Sequence, residues 1–228
     1  MSKGIFIAGT DTGVGKTFVA SGLIIAFRAA GNAVCPMKPI ETGCISRKGQ
    51  LVPEDALKLV QSAGIHESLD LVNPYRFRQP LAPAVASDLE RTVIKKNKIL
   101  SAYKQLSCKY DVMIVEGAGG IMAPVYKKYL FLDLIKDLNL PIAIVARAGL
   151  GTINHTLLTI KAAQSMGIDV TGVIVNNTSK SATDVSLKTN PRMIEKLSGR
   201  PVLGIVPFMR YPQKNIFRNI ALEIMSRF

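Results

Sequence analysis

Short apolar runs alternate with amphipathic stretches along the whole chain. Gly4–Ala8 (GIFIA) is apolar at every position and predicts a buried strand, and Lys16–Ala30 predicts a helix stopped by Gly31. Ala33–Met37, Asp111–Val115, Pro141–Ala146, Val170–Val175 and Pro201–Val206 are five more short apolar runs of strand length. Helical patterns fall at Pro53–Ala63, Lys95–Lys109, Phe131–Asn139, Asn154–Met166 and Pro191–Ser198. Strands apolar on both faces and separated by helices imply a parallel sheet covered on both sides. The expected fold is α/β, a single doubly wound domain over residues 1–228 with a mostly parallel sheet. Between Ser68 and Arg91 the pattern lapses into an irregular stretch with Pro74, Pro80 and Pro83, read as a surface loop.

Composition leaves this picture intact: 228 residues, 48% apolar and 20% charged, are those of a globular chain. Charge adds something new. Lys and Arg number 29 against 16 Asp and Glu, a net +13 that points to an anionic partner: nucleotide, nucleic acid or membrane surface. Cys35, Cys44 and Cys108 are three and widely spaced, so neither a disulfide framework nor a zinc site is indicated. The first apolar run is too short for a signal peptide or a membrane span, which makes the expected location cytoplasmic.

The densest chemistry follows the first strand, at Gly9-Thr10-Asp11-Thr12-Gly13-Val14-Gly15-Lys16-Thr17. Glycines let backbone N–H groups curl inward around a phosphate, and the following helix adds its positive end. Lys16 can reach the β- and γ-phosphates, and the Thr17 hydroxyl can ligate Mg²⁺. The strict P-loop pattern places glycine at position 10, where this chain has Thr10. Partitioning and cell-division ATPases carry a second lysine where this chain has Asp11.

Further clusters fall at strand ends, where open parallel sheets bind ligands. Lys38, in the segment Met37–Gly43 (MKPIETG) that ends the second strand, lies beside the phosphate loop in such a sheet and can offset charge developed in phosphoryl transfer, and Thr42 can bond a substrate. Asp55 opens a helix, where a carboxylate is either a metal ligand or simply favourable with the dipole. Glu116 ends the apolar run of Asp111–Val115 in the Walker-B manner, followed by Gly117, Gly119 and Gly120. Thr17, Asp55 and Glu116 make an oxygen-only set suited to Mg²⁺. Asn176 and Asn177 close a later strand, where an Asn amide can read the adenine edge or serve as an ordinary turn residue. His66 and His155 have no evident role as bases.

Taken in order, GTDTGVGKT, MKPIETG, EDAL, VNPY, VEGAGG, GLGTINH and VNN resemble the motifs of the dethiobiotin synthetase family, over residues 4–208. The resemblance implies an ATP- and Mg²⁺-dependent ligase that closes a ureido ring on 7,8-diaminopelargonate with CO₂. By it, Thr12, Lys16, Lys38 and Thr42 contact the carbamate and γ-phosphate, and Thr17, Asp55 and Glu116 serve the metal. Gly13, Val14, Gly15, Lys16, Thr17 and Phe18, with Glu116, Gly117, Ala118 and Gly119, line ATP. Asn176, Asn177, Pro207 and Phe208 surround the adenine, although Asn177 stands where some relatives have Asp. A homodimer completes the site, Gly151 and Asn154 of one subunit receiving the distal carboxylate of substrate bound to the other. No nucleic acid or membrane partner is then expected. The alternative is a MinD- or ParA-like ATPase switch acting on membrane or DNA, favoured by the basic total and the amphipathic segment Lys214–Phe228 and opposed by Asp11.

Overall fold

All six apolar runs become strands of one sheet. The computed structural model describes residues 2–179 and 186–227. In chain order, β1 (Lys3–Gly9) leads through the glycine-rich loop into α1 (Lys16–Ala29), then β2 (Val34–Met37), β3 (Ile40–Thr42) and a hairpin of β4 (Ile45–Arg47) and β5 (Gln50–Val52). Next come α2 (Glu54–Ala63), α3 (Leu69–Val72), β6 (Tyr75–Phe77), α4 (Pro83–Leu89), α5 (Lys96–Ser107) and the long β7 (Val112–Gly120). A second hairpin, β8 (Pro124–Tyr126) and β9 (Tyr129–Leu130), precedes α6 (Phe131–Leu138), β10 (Ile142–Arg147), α7 (Thr152–Ser165) and β11 (Val170–Asn176). The chain closes with α8 (Ser186–Ser198), β12 (Val202–Val206) and α9 (Lys214–Met225).

The main sheet runs β12-β11-β10-β1-β7-β2, with every pair parallel. Winding reverses at β1, which has β7 on one side and β10 on the other, so the crevice of a doubly wound sheet opens at its carboxyl end. Alternation along β1 shows why both faces are covered. Ile5 and Ile7 enter an apolar cluster with α1, α2 and α9, while Phe6 and Ala8 enter the cluster beneath α5, α6 and α7.

Several elements differ from the sequence pattern. The stretch Ser68–Arg91 is not irregular: it holds α3, β6 and α4, and β6 pairs in parallel with β3. Pro83 sits at the start of α4, where a missing N–H removes no helix bond, so the proline opens the helix rather than breaking it. Buried Tyr75 and Phe77 anchor β6. α7 begins at Thr152, two residues before the expected start. α8 begins at Ser186 and carries Pro191 inside it. Asn190, just before that proline, uses its side chain to donate to the Gly149 carbonyl at 2.8 Å.

The carboxyl-terminal amphipathic segment forms α9, whose buried Phe217, Ile220, Ala221 and Ile224 pack on α1 and the sheet; Phe228 lies outside the described residues. Among the described residues no helix is long and apolar enough to cross a membrane. Basic residues around α5 are largely exposed and several are paired there: Lys96 with Asp137 at 2.9 Å, Lys109 with Glu67 at 3.1 Å, while Lys98 donates to the Pro74 carbonyl at 2.9 Å.

Candidate active site

At the carboxyl edge of β1, β2 and β7 lies a cavity of about 310 Å³. Thr12, Gly13, Gly15, Lys16, Thr17, Lys38, Thr42, Asp55, Glu116, Ala118 and Gly119, all singled out from sequence, line it together with Glu41. The loop after β1 can turn into α1 because Gly13 and Gly15 take φ of 74° and 87°, a region that side chains disfavour. A Cβ at position 15 would also collide with the Asn176 amide, which donates to the Val14 carbonyl at 2.9 Å.

Buried charge gives the cavity its character. The Lys38 ammonium, 3% exposed, stands 2.5 Å from Glu116 Oε1 and 3.3 Å from Asp55 Oδ2, thus spanning the two carboxylates expected to serve a metal. Thr17 donates to the same Glu116 oxygen at 2.8 Å. Glu116 is fully buried, and its Oε2 has no hydrogen-bond partner. Lys16 donates to the Asp11 carbonyl at 3.0 Å. Burial, followed by the charge of Lys38, pulls the Lys16 pKa down to about 8. For Lys38 burial also works downward, but Glu116 and Asp55 outweigh it and carry the pKa up to about 12.

Other expected residues do not line this cavity, although the Gly117 carbonyl accepts from Lys38 at 3.4 Å. Gly151 and Asn154 mark the start of α7, after β10, next to the fully displayed Leu150. Asn177, Pro207 and Phe208 come together beyond the adjacent ends of β11 and β12, where Asn177 N–H donates to the Val206 carbonyl at 2.9 Å. Phe18 turns its ring toward Phe217, at 6.2 Å between centroids. Gly117 is buried under the rings of Phe6 and Phe131.

Two residues went unassigned at the level of sequence. Asn73, fully buried, donates to the Lys38 carbonyl at 2.6 Å. Glu41 accepts the N–H groups of Asp55 and Ala56, each at 2.9 Å. Glu41 lies within MKPIETG, but its part in the site is signalled only indirectly: Pro53 precedes α2 and offers no capping side chain.

Among the described residues, no three His, Cys, Asp or Glu side chains converge as a metal cluster. A wider depression of about 1450 Å³ opens at the opposite end of the sheet, around Lys3, Tyr110, Asp111 and Asn139. It lacks the phosphate loop and the buried ammonium groups that gather at the smaller cavity.

A glycine-rich loop between strand and helix, a lysine at its end and a strand-terminal carboxylate define a P-loop NTPase with a parallel sheet. Solved structures agree on the fold. MinD of Aquifex aeolicus superposes with a TM-score of 0.61 at 18% identity, over 99% of this chain and 98% of that one. MinD of Pyrococcus furiosus gives 0.58 at 16% identity, covering both chains fully.

Sequence likeness is more specific. Residues 3–214 match the family described as an AAA domain. An ATP-dependent dethiobiotin synthetase from Thermodesulfovibrio yellowstonii is 42% identical over 98% of this chain and 96% of its own length. One from Bacillus subtilis (strain 168) is 44% identical over 90% and 87%. The chain belongs to the dethiobiotin synthetase family, ATP-dependent ligases of biotin biosynthesis. The likeness to MinD, at under a fifth identity, is one of fold alone.

Proposed function

We propose that this chain closes the ureido ring of dethiobiotin on 7,8-diaminopelargonate, using CO₂ and ATP. One amine adds to CO₂, giving a carbamate and releasing a proton. A carbamate oxygen then takes the γ-phosphoryl group as ADP departs, forming a carbamic–phosphoric anhydride. The second amine attacks the carbamoyl carbon, loses its proton and expels phosphate. No protein nucleophile enters, so the work of the chain is to bring anions together and hold them in line.

The observation that carries this reading is a cavity at the phosphate loop holding two buried ammonium groups, Lys16 and Lys38, in a member of this family. Carbamate and γ-phosphate repel one another, and two fixed positive charges in a site shielded from water offset that repulsion. Thr12 and Thr42 line the same cavity and bind the carbamate and γ-phosphate. Thr17, Glu116 and Asp55 are the residues to hold Mg²⁺. Their donor atoms are all oxygen, and the unpartnered Glu116 Oε2 supports the fit. When bound, Mg²⁺ supplies neutralisation of the phosphate oxygens. Gly13 to Phe18 and Glu116 to Gly119 line the nucleotide, with Asn176, Asn177, Pro207 and Phe208 around the adenine.

Because Gly151 and Asn154 stand outside the cavity, a homodimer in which each subunit's α7 receives the distal carboxylate of the other's substrate fits the arrangement. The protein acts in the cytoplasm on small molecules, without nucleic acid or membrane.

Phosphate release measured with ATP alone, with diaminopelargonate, with bicarbonate and with both tests the reading. Release is expected only with the complete mixture, together with dethiobiotin by mass. Equal release without the diamine would refute it.

A further inference from the structure

We propose that Glu41 is a positioning residue of this site: it clamps the first turn of α2 to the end of β3 and so holds Asp55 against Lys38 at the phosphate end of the cavity. The inference rests on the reading of Asp55 as part of the metal–phosphate site.

Local contacts hold that turn of α2 only weakly: the one ion pair at its start, Arg47 to Glu54 at 3.7 Å, is between exposed side chains. A helix leaves its first N–H groups without intrahelical partners, and the residue at the N-cap, Pro53, supplies no side-chain acceptor. The chain reaches it through β4 and β5, a hairpin whose residues are exposed or half-exposed. Glu41 comes from a different element and uses both carboxylate oxygens. Oε1 accepts from Asp55 N–H and Oε2 from Ala56 N–H, both at 2.9 Å. Two bonds to successive amides fix the rotation of the turn as well as its distance. The Asp55 side chain, itself 38% exposed, stands 3.3 Å from Lys38 and has no other hydrogen bond among the described residues.

The position of Glu41 argues against a simple cap. Its residue is only 5% exposed, and burial raises its pKa against the lowering by its two amide bonds. A buried carboxylate is unfavourable unless it is fully bonded, whereas a Ser or Asp at position 53 would cap α2 at the surface without that cost. What the distant carboxylate adds is registration. It ties the helix bearing Asp55 to the strand that follows Lys38 by two residues and ends in Thr42.

A double-mutant cycle on ATP binding, read by calorimetry with Mg²⁺ and separately in EDTA, tests this. Glu41→Gln keeps the shape but presents an NH₂ to one of the two amides. It is expected to weaken ATP binding in Mg²⁺ about tenfold while leaving binding in EDTA unchanged. In the Asp55→Asn background the same substitution is expected to change neither, because Glu41 acts through Asp55. A loss of equal size in both backgrounds, a loss in EDTA as well, or wild-type binding that ignores Mg²⁺ overturns the proposal. If E41Q does not fold, E41D, with both oxygens on a shorter stem, goes through the same cycle, and wild-type affinity in E41D overturns it equally. No ring closure is read here, so absence of turnover with diaminopelargonate would strike the proposed reaction and leave this result separate.

Discussion

Lys16 and Lys38 carry the same charge into the same cavity, and their surroundings drive them apart. Lys16, buried and facing a second ammonium, has its pKa pulled down to about 8. The unfolded chain therefore binds more protons between about 8 and the ordinary 10.5, so the contribution of Lys16 opposes folding at neutral pH and eases as pH rises. Bound triphosphate favours the charged form. Affinity for metal-free ATP, once its own terminal phosphate is fully ionised, should accordingly hold steady up to about pH 8 and fall about tenfold per unit above it, with uptake of one proton. Calorimetry in buffers of different ionisation enthalpy would show both. Lys38 has the opposite dependence on its neighbours. Lys38→Ala leaves Glu116 fully buried without its ammonium, so we expect a loss of stability of about 3–5 kcal/mol in urea unfolding. Turnover should vanish while ATP binding to the folded fraction persists, since the lysine acts on charge made during transfer. Each of these residues was visible in sequence as a charged strand or loop end. Their opposite electrostatics were not, because burial and ion pairing arise only on folding.

Elements were legible where one period governs them. β1, β2, β10, β11 and β12 fall within a residue or two of the apolar runs that predict them. Misreading came where a proline or a long-range partner takes over. Three prolines between Ser68 and Arg91 read as a loop, yet Pro83 opens α4, and β6 exists because β3 is there to pair with it. α9 is the reverse case: its pattern was plain but its place was not. It packs on α1 through Phe217, whose ring fills the space left by Gly22. Phe217→Ala should therefore cost about 3–5 kcal/mol, measured as a lower urea midpoint. An unchanged midpoint would mean that α9 is not part of the folded core.

For the whole molecule, the net charge of +13 pointed to nucleotide, nucleic acid or membrane surface alike; two of its ammonium groups are buried at one small cavity and others are tied into ion pairs around α5. If the site is shared across a homodimer, Lys38→Ala and Asn154→Ala proteins, each inactive alone, should recover activity on mixing. Half of the dimers then pair unlike subunits with one intact site each, about a quarter of wild-type turnover. No recovery after subunit exchange would refute sharing. Sequence by itself determined the six strands, their parallel sheet and the phosphate loop, because each is written in contiguous residues: apolar runs of strand length, or glycines followed by Lys16 and Thr17. Only the tertiary structure decided that Lys38 pairs with Asp55, 17 positions on, and with Glu116, 78 positions on. It alone brought Glu41 to the start of α2. Such groups meet only where the winding of the sheet reverses and the carboxyl ends of β1, β2 and β7 come together, and no local pattern records that meeting.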